Sequence, residues 1–209
     1  MKSGSRPLSG GTAGEDQEGP APGPGNPETG LVEGLKKGRQ AACNQLVKEY
    51  QGRLLKLVYG ITLDMEDSRE IVQDVFVKAI RNIRGFRQES RLWGWIRKIA
   101  VNECLNWKRR WKRRFRWHHR SLEPDQESGF PDESGTRPDP ESSLREKQAQ
   151  DRLMKAVARL SQPLRVVFVL KAFEDLSYEE IGRSLNISRG TVSSRLYHAR
   201  KQIMEAMEK

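Results

Sequence analysis

Apolar residues in this chain recur every three or four positions, in two separate blocks, and nowhere alternate as a half-buried strand would. In the first block Leu46, Tyr50, Leu54, Leu57 and Ile61 form one stripe, with Val47 and Val58 beside it. Ile71/Val72, Val75/Phe76, Ala79/Ile80 and Ile83 form a second, and Leu92, Trp95/Ile96 and Ile99/Ala100 begin a third. The second block continues with Leu153, Val157 and Leu160, then Val166/Val167 and Leu170, then Ile181, Leu185, Ile187, Val192, Leu196 and Ile203. A 3.6-residue period fits each stripe. Asp64 to Asp67 offers N-caps ahead of the second stripe, and Gly85 offers a stop after it. The expected fold is all-α: two small helical domains with separate cores, each marginal alone and steadied by partners.

Charge divides the same blocks. Of 209 residues only 35% are apolar and 32% are charged, and mean hydropathy is −0.78. That is too polar for one collapsed globule. Residues 1–30 are rich in Gly, Pro, Ser and Glu and are expected to form a disordered tail. Residues 105–120 hold eight basic side chains and no acid: Lys108, Arg109, Arg110, Lys112, Arg113, Arg114, Arg116 and Arg120. The tract that follows, residues 121–147, opens with acids and four prolines and reads as an extended linker. The expected organisation is therefore a tail (1–30), a first domain (31–120), an acidic flexible linker (121–147) and a second domain (148–209). The net charge of +10 points to a polyanionic partner. No apolar run is long enough to span a bilayer, no signal peptide opens the chain, and Cys43 and Cys104 are too few for a disulfide framework. These features fit a reduced, cytoplasmic protein.

The most specific motif runs from Leu176 to Val192. Ser177 and Glu180 make a capping box that starts a short helix. Gly182 is small where a close crossing is needed, Asn186 tolerates a left-handed turn, and Ser188 caps the next helix. This is a helix-turn-helix. Its second helix buries Val192, Leu196 and Ile203 and turns Arg189, Ser193, Ser194, Tyr197, His198 and Lys201 outward. Such a face suits the major groove, with phosphate contacts to position it and a few side chains to read bases. Similar corners occur in bundles without a ligand, but turn, caps and basic face agree here on DNA. Trp107, Trp111 and Phe115 stand at i, i+4, i+8 and give the basic block an aromatic stripe. That stripe either packs on neighbouring helices or accompanies phosphate binding by the cations, which would make binding strongly salt-dependent.

These motifs together resemble one family. The chain is similar to bacterial RNA polymerase sigma factors of the extracytoplasmic-function (ECF) group, which consist of sigma domain 2, a linker and sigma domain 4. The resemblance rests on Asp67 to Phe76, on Phe86 to Asn102, on Leu176 to Gly182 and on Gly190 to Lys201. It implies that the helix of Glu70, Gln73, Asp74 and Lys78 docks on the clamp helices of the polymerase's largest subunit. It implies that Phe86, Arg87, Ser90, Arg91 and Trp93 form the loop that captures a flipped −10 base. Arg97, Lys98 and Asn102 would line the melted non-template strand. Trp95 matches a core position and is expected buried, whereas Trp93 suits either the core edge or a base platform. Arg189, Thr191, Ser193, Ser194, Tyr197, His198 and Lys201 would read the −35 element as duplex, with this domain docked on the polymerase flap. Ser193 and His198 stand where the family often has basic residues, so the preferred promoter should differ or the contact should be weaker. Lys108, Arg109, Arg110, Lys112, Arg113 and Arg114 would track the phosphates of the promoter spacer. An anti-sigma factor is an expected partner, and the acidic linker would thread toward the RNA exit channel or act as a tether.

A conventional helix-turn-helix regulator, with residues 31–120 as a dimerisation or sensing domain, is the competing reading. It would bind duplex DNA unaided. An enzyme is not expected, since the chain has no P-loop, no H-E-x-x-H and no nucleophile elbow. Neither a metal nor another cofactor is expected. His118 and His119 end a basic run, and the two cysteines read as core-lining thiols.

Overall fold

The structure, a computed structural model, describes residues 27–114 and 140–208, with side chains described at 28–107 and 148–208. Among the described residues every regular element is helical. Helices α1 (Pro27–Lys36), α2 (Gln40–Thr62), α3 (Met65–Asn82) and α4 (Leu92–Arg114) precede the undescribed stretch, with a 3₁₀ turn at Ile83–Gly85. Helices α5 (Pro140–Arg159), α6 (Gln162–Ala172), α7 (Tyr178–Leu185) and α8 (Arg189–Met207) follow it. The all-α expectation holds.

Helix ends follow local chemistry. Asp64 caps α3 by accepting from the Asp67 N–H at 2.8 Å. Leu63, at φ 63, turns the chain sharply between α2 and α3. The 3₁₀ turn at Gly85 ends α3, as its glycine suggested.

Two boundaries differ from expectation. Residues 27–30, assigned to a disordered tail, are the first turn of α1. Pro27 suits a first helical position and Glu28 favours the positive end of the helix dipole. Burial of Leu31, Val32 and Leu35 then anchors the helix. Residues 140–147, assigned to the linker, begin α5 in the same way, with Pro140 at its start and the apolar stripe of Ala156, Val157 and Leu160 buried downstream. Residues 1–26 and 121–139 lie outside the described residues.

The cores are not separate. One buried cluster joins Leu46, Leu54, Leu57, Ile71, Val75, Leu92 and Ile96 to Val166, Val167, Val169, Leu170, Ile181 and Val192. Among the described residues, Ala156, Val157, Leu160, Ala199 and Ile203 form a second, smaller cluster. The physical reason is α6. Val166, Val167, Val169 and Leu170 are all buried, so this short helix is apolar on more faces than α5 and α8 can cover. It lies against α2 at Gly60, where a Cβ would stand 3.3 Å from both Val169 methyls and 3.4 Å from the Phe173 ring. Arg165 fastens the junction. Its guanidinium donates to Ile61 O (3.2 Å), Ala158 O (3.0 Å) and Leu160 O (2.9 Å), closing the carbonyl ends of α2 and α5. Burial lowers the pKa of this group from its usual value.

Candidate nucleic-acid interface

The helix-turn-helix forms as its residues dictate. Ser177 Oγ accepts from Glu180 N at 3.2 Å while the Glu180 carboxylate accepts from Ser177 N at 2.7 Å. Asn186 sits in the left-handed region (φ 53, ψ 50), and Ser188 Oγ accepts from Thr191 N at 3.2 Å. Gly182 is required by the turn itself, because a Cβ there would lie 2.8 Å from the Ile187 carbonyl oxygen. Ile181 and Val192 are fully buried inside the corner, with Leu185 and Ile187 packed against them.

On α8, Val192, Leu196, Ala199 and Ile203 face inward. Arg189, Ser193, Ser194, Tyr197, His198 and Lys201 are exposed, and Thr191 is half-buried. Tyr197 is 65% exposed and meets the His198 ring edge-on at 5.4 Å. Arg189 pairs with Glu179 of α7 at 2.9 Å, an exposed pair that water screens. The α8 residues expected at the −35 element therefore share one helix and its outer side.

On α3, Glu70 and Gln73 are exposed and Asp74 is half-buried. Lys78 is committed to an ion pair with the buried Glu103 of α4. Asp67, at the start of α3, has its pKa raised by burial, an effect the Trp107 indole partly offsets by hydrogen bonding.

The residues expected at the −10 element do not share one environment. Arg87, Arg91, Lys98 and Asn102 are exposed and Ser90 is half-buried. Phe86, Trp93 and Arg97 are buried, at 5%, 6% and 8% exposure. Phe86 packs on Trp95 with ring centroids 5.2 Å apart, and Lys36 Nζ donates to its carbonyl at 2.9 Å. Trp95, expected buried, is half-buried, and Trp93 is the enclosed one. The two stand about 200° apart around α4, and the second half of the chain packs on Trp93's side.

What encloses Trp93 is a turn from that second half. Trp93 stacks on Tyr50 (5.9 Å, 4° between planes), and the Arg53 guanidinium lies 4.2 Å from its ring centre. Its indole N–H donates to Glu174 Oε2 at 2.7 Å. The same oxygen accepts from Arg53 at 2.9 Å and lies 3.6 Å from an Arg97 nitrogen. Glu174 belongs to the α6–α7 turn, and its side chain is only 3% exposed. Glu28 of α1 lies on the other side of a 370 Å³ cavity, 3.4 Å from Tyr50 Oη and from Leu92 N, the first amide of α4. Burial first, and the Glu28 charge second, push the Tyr50 pKa up to about 12.

Arg53, Glu28 and Glu174 were absent from the sequence-based set. Each reads alone as a solvated charge, and no spacing rule links residues 53 and 174. Side chains 108–114, including the six cations expected on the spacer, lie outside the described side chains, although α4 continues as helix to Arg114. Cys104 is buried, which raises its thiol pKa, and Cys43 is half-buried. His118 and His119 lie outside the described residues. Among the described residues no helix is long and apolar enough to cross a membrane.

Fold and exposed face together define an all-helical protein with a helix-turn-helix. The family model of sigma-70 region 2 matches residues 46–114, and that of sigma-70 region 4 matches residues 150–203. The ECF RNA polymerase sigma-E factor of Escherichia coli is 32% identical over 177 residues, covering 83% of this chain and 90% of that protein. The RNA polymerase sigma-H factor of Pseudomonas aeruginosa is 28% identical over 186 residues, covering 85% and 92%. Two solved structures share the fold. CnrH in complex with the cytosolic domain of CnrY has a TM-score of 0.58 at 20% identity, covering 87% of this chain and 97% of that one. The sigma factor RpoE from Bartonella quintana, in complex with the anti-sigma factor NepR, has a TM-score of 0.59 at 22% identity, covering 79% and 96%. The chain belongs to the ECF group of RNA polymerase sigma factors, and so to the proteins that direct promoter-specific initiation.

Proposed function

We propose that the chain reads promoters in two places, with no catalytic chemistry of its own, in the cytoplasm where the polymerase works. Residues 148–209 act as sigma domain 4 and read the −35 element through Arg189, Thr191, Ser193, Ser194, Tyr197, His198 and Lys201. The observation that carries this is the exposed polar row on α8, set at a fixed angle by two caps and the Asn186 turn. Residues 31–120 act as sigma domain 2. They dock on the polymerase clamp helices through the Glu70, Gln73 and Asp74 side of α3, with Lys78 positioned by Glu103. Phe86, Arg87, Ser90, Arg91 and Trp93 receive a flipped −10 base, and Arg97, Lys98 and Asn102 follow the strand. The basic end of α4 tracks the spacer, and the acidic stretch 121–139 tethers the halves. An anti-sigma factor is the expected negative partner, as in the Bartonella complex.

The energetics require several partners at once. Unstacking DNA costs about 1.4 kcal/mol per step, and flipping a base costs a few kcal/mol. Stacking a captured base returns about 1–3 kcal/mol. One pocket cannot melt a promoter without polymerase and phosphate contacts. Because Trp93 and Arg97 are buried against Glu174 of the second half, base capture at Trp93 also requires the halves to part.

The test is transcription in vitro with core bacterial RNA polymerase and fragmented genomic DNA, followed by sequencing of transcript 5′ ends. New starts that need this protein and share −35 and −10 motifs at fixed spacing are expected. Absence of such starts, with duplex DNA shifted by the protein alone, would replace this reading with a conventional regulator.

A further inference from the structure

We propose that Arg53, Arg97 and the Trp93 indole N–H form a cradle for a backbone phosphate of single-stranded promoter DNA, and that Glu174 occupies it as an internal anion while the halves are closed. The inference rests on the −10 reading above and adds two residues to it, Arg53 and Glu174.

The geometry is that of an anion site. Three donors from two helices converge on one oxygen, Glu174 Oε2, at 2.7, 2.9 and 3.6 Å. A non-bridging phosphate oxygen asks for the same charge-assisted convergence. Glu174 comes from the α6–α7 turn, 121 residues from Arg53, whereas the donors stand on α2 and α4. Arg53 and Trp93 are held by their own neighbours: Tyr50 stacks on the indole, and the guanidinium lies over it.

The electrostatics change sign when the turn leaves. In the closed arrangement Arg53, Arg91 and Arg97 face Glu28, Glu174, Asp175 and Glu180 around the cavity. With the α6–α7 turn and α7 withdrawn, three cations remain against Glu28 alone. Lys98, next to Arg97 on α4, and Arg87, in the loop before it, are exposed cations as well. A chain with an aromatic platform, a row of cations and a net charge of +10 favours a nucleic-acid strand over an acidic peptide as the second occupant.

The full chain, E174Q and R53Q/E174Q are compared for binding of a labelled 12-nucleotide mixed-sequence single strand by fluorescence anisotropy, across a salt series. Removing the internal anion should tighten binding about fivefold or more, because the competent state no longer has to displace it. Adding R53Q should then lower the log–log salt slope by about 0.7, the loss of one phosphate contact on a single strand. Equal or weaker binding by folded E174Q overturns the proposal, as does an unchanged salt slope in the double variant. A gain seen only with poly-glutamate of similar length also overturns it, and assigns the cradle to an acidic protein segment. Should E174Q misfold, hydrogen exchange on the unaltered chain decides. The strand should speed exchange in the α6–α7 turn, at Leu176 N, which otherwise donates to Leu170 O. Binding without that change overturns the proposal. The same preparations are run with core polymerase. New starts from the unaltered chain, without a gain in E174Q, overturn the cradle alone. No starts overturn the −10 reading and the assigned ligand with it.

Discussion

Two glycines in the helix-turn-helix should respond to alanine with opposite signs. At Gly182 a Cβ would stand 2.8 Å from the Ile187 carbonyl oxygen, closer than such contacts allow. The obstacle is backbone, and it is pinned. Ile187 N donates to Gly182 O at 3.0 Å, Asn186 before it is left-handed, and Ser188 after it is the cap of α8. Relieving the clash means moving the turn and tilting α8. Overpacking of this kind costs about 1–3 kcal/mol, whereas replacing a helical glycine by alanine returns at most about 1 kcal/mol. The net expectation is a loss of about 1 kcal/mol, or roughly 2–4 °C in a chain of this size. Gly190 offers the contrast. Its nearest foreign atom is Ser188 Oγ at 3.9 Å, so Gly190→Ala meets no obstacle and gains about 0.4–1 kcal/mol. Urea denaturation followed by far-ultraviolet circular dichroism measures both. A midpoint raised by Gly182→Ala, or two variants moving in the same direction, would refute the steric reasoning.

Other expectations follow from single contacts. Arg165→Met should strand three carbonyls at the ends of α2 and α5 and cost about 3 kcal/mol in urea; a loss below 1 kcal/mol would mean that the junction does not depend on it. Tyr50 keeps its proton to about pH 12 in the folded chain but releases it near 10 when unfolded. Its contribution is therefore complete below pH 10 and is lost as pH rises from 10 to 12. The unaltered chain should lose stability faster than Tyr50→Phe across that window, and parallel curves would contradict the assignment. Arg189→Ala should weaken duplex −35 binding by about 1–3 kcal/mol, with the denaturation midpoint unchanged within about 0.5 kcal/mol. A stability loss equal to the binding loss would make Arg189 structural.

Trp93 and Trp95 mark where legibility ended. Both stand in a helical pattern in the first turns of α4, and their spacing places them on different sides of it. Which side meets another element is decided by α6 and α7, whose packing no local pattern announces. Residues 27–30 and 140–147 show the same limit at helix ends. Proline and acid composition suggested coil, yet proline is well tolerated at a first helical position, and apolar residues further along anchored both helices.

The sequence by itself determined the helices, their caps and the helix-turn-helix, because these depend on groups a few residues apart. Ser177 finds Glu180 three positions on, Asn186 makes its own turn, and the apolar period names the buried side of α8. The tertiary structure alone decided that the two halves share a core and that Glu174 meets Arg53, Trp93 and Arg97. Those groups are charged or amphipathic and look solvated one by one. Packing withdraws Glu174, Trp93 and Arg97 from water, where they must find partners, and Arg53, still exposed, closes over them.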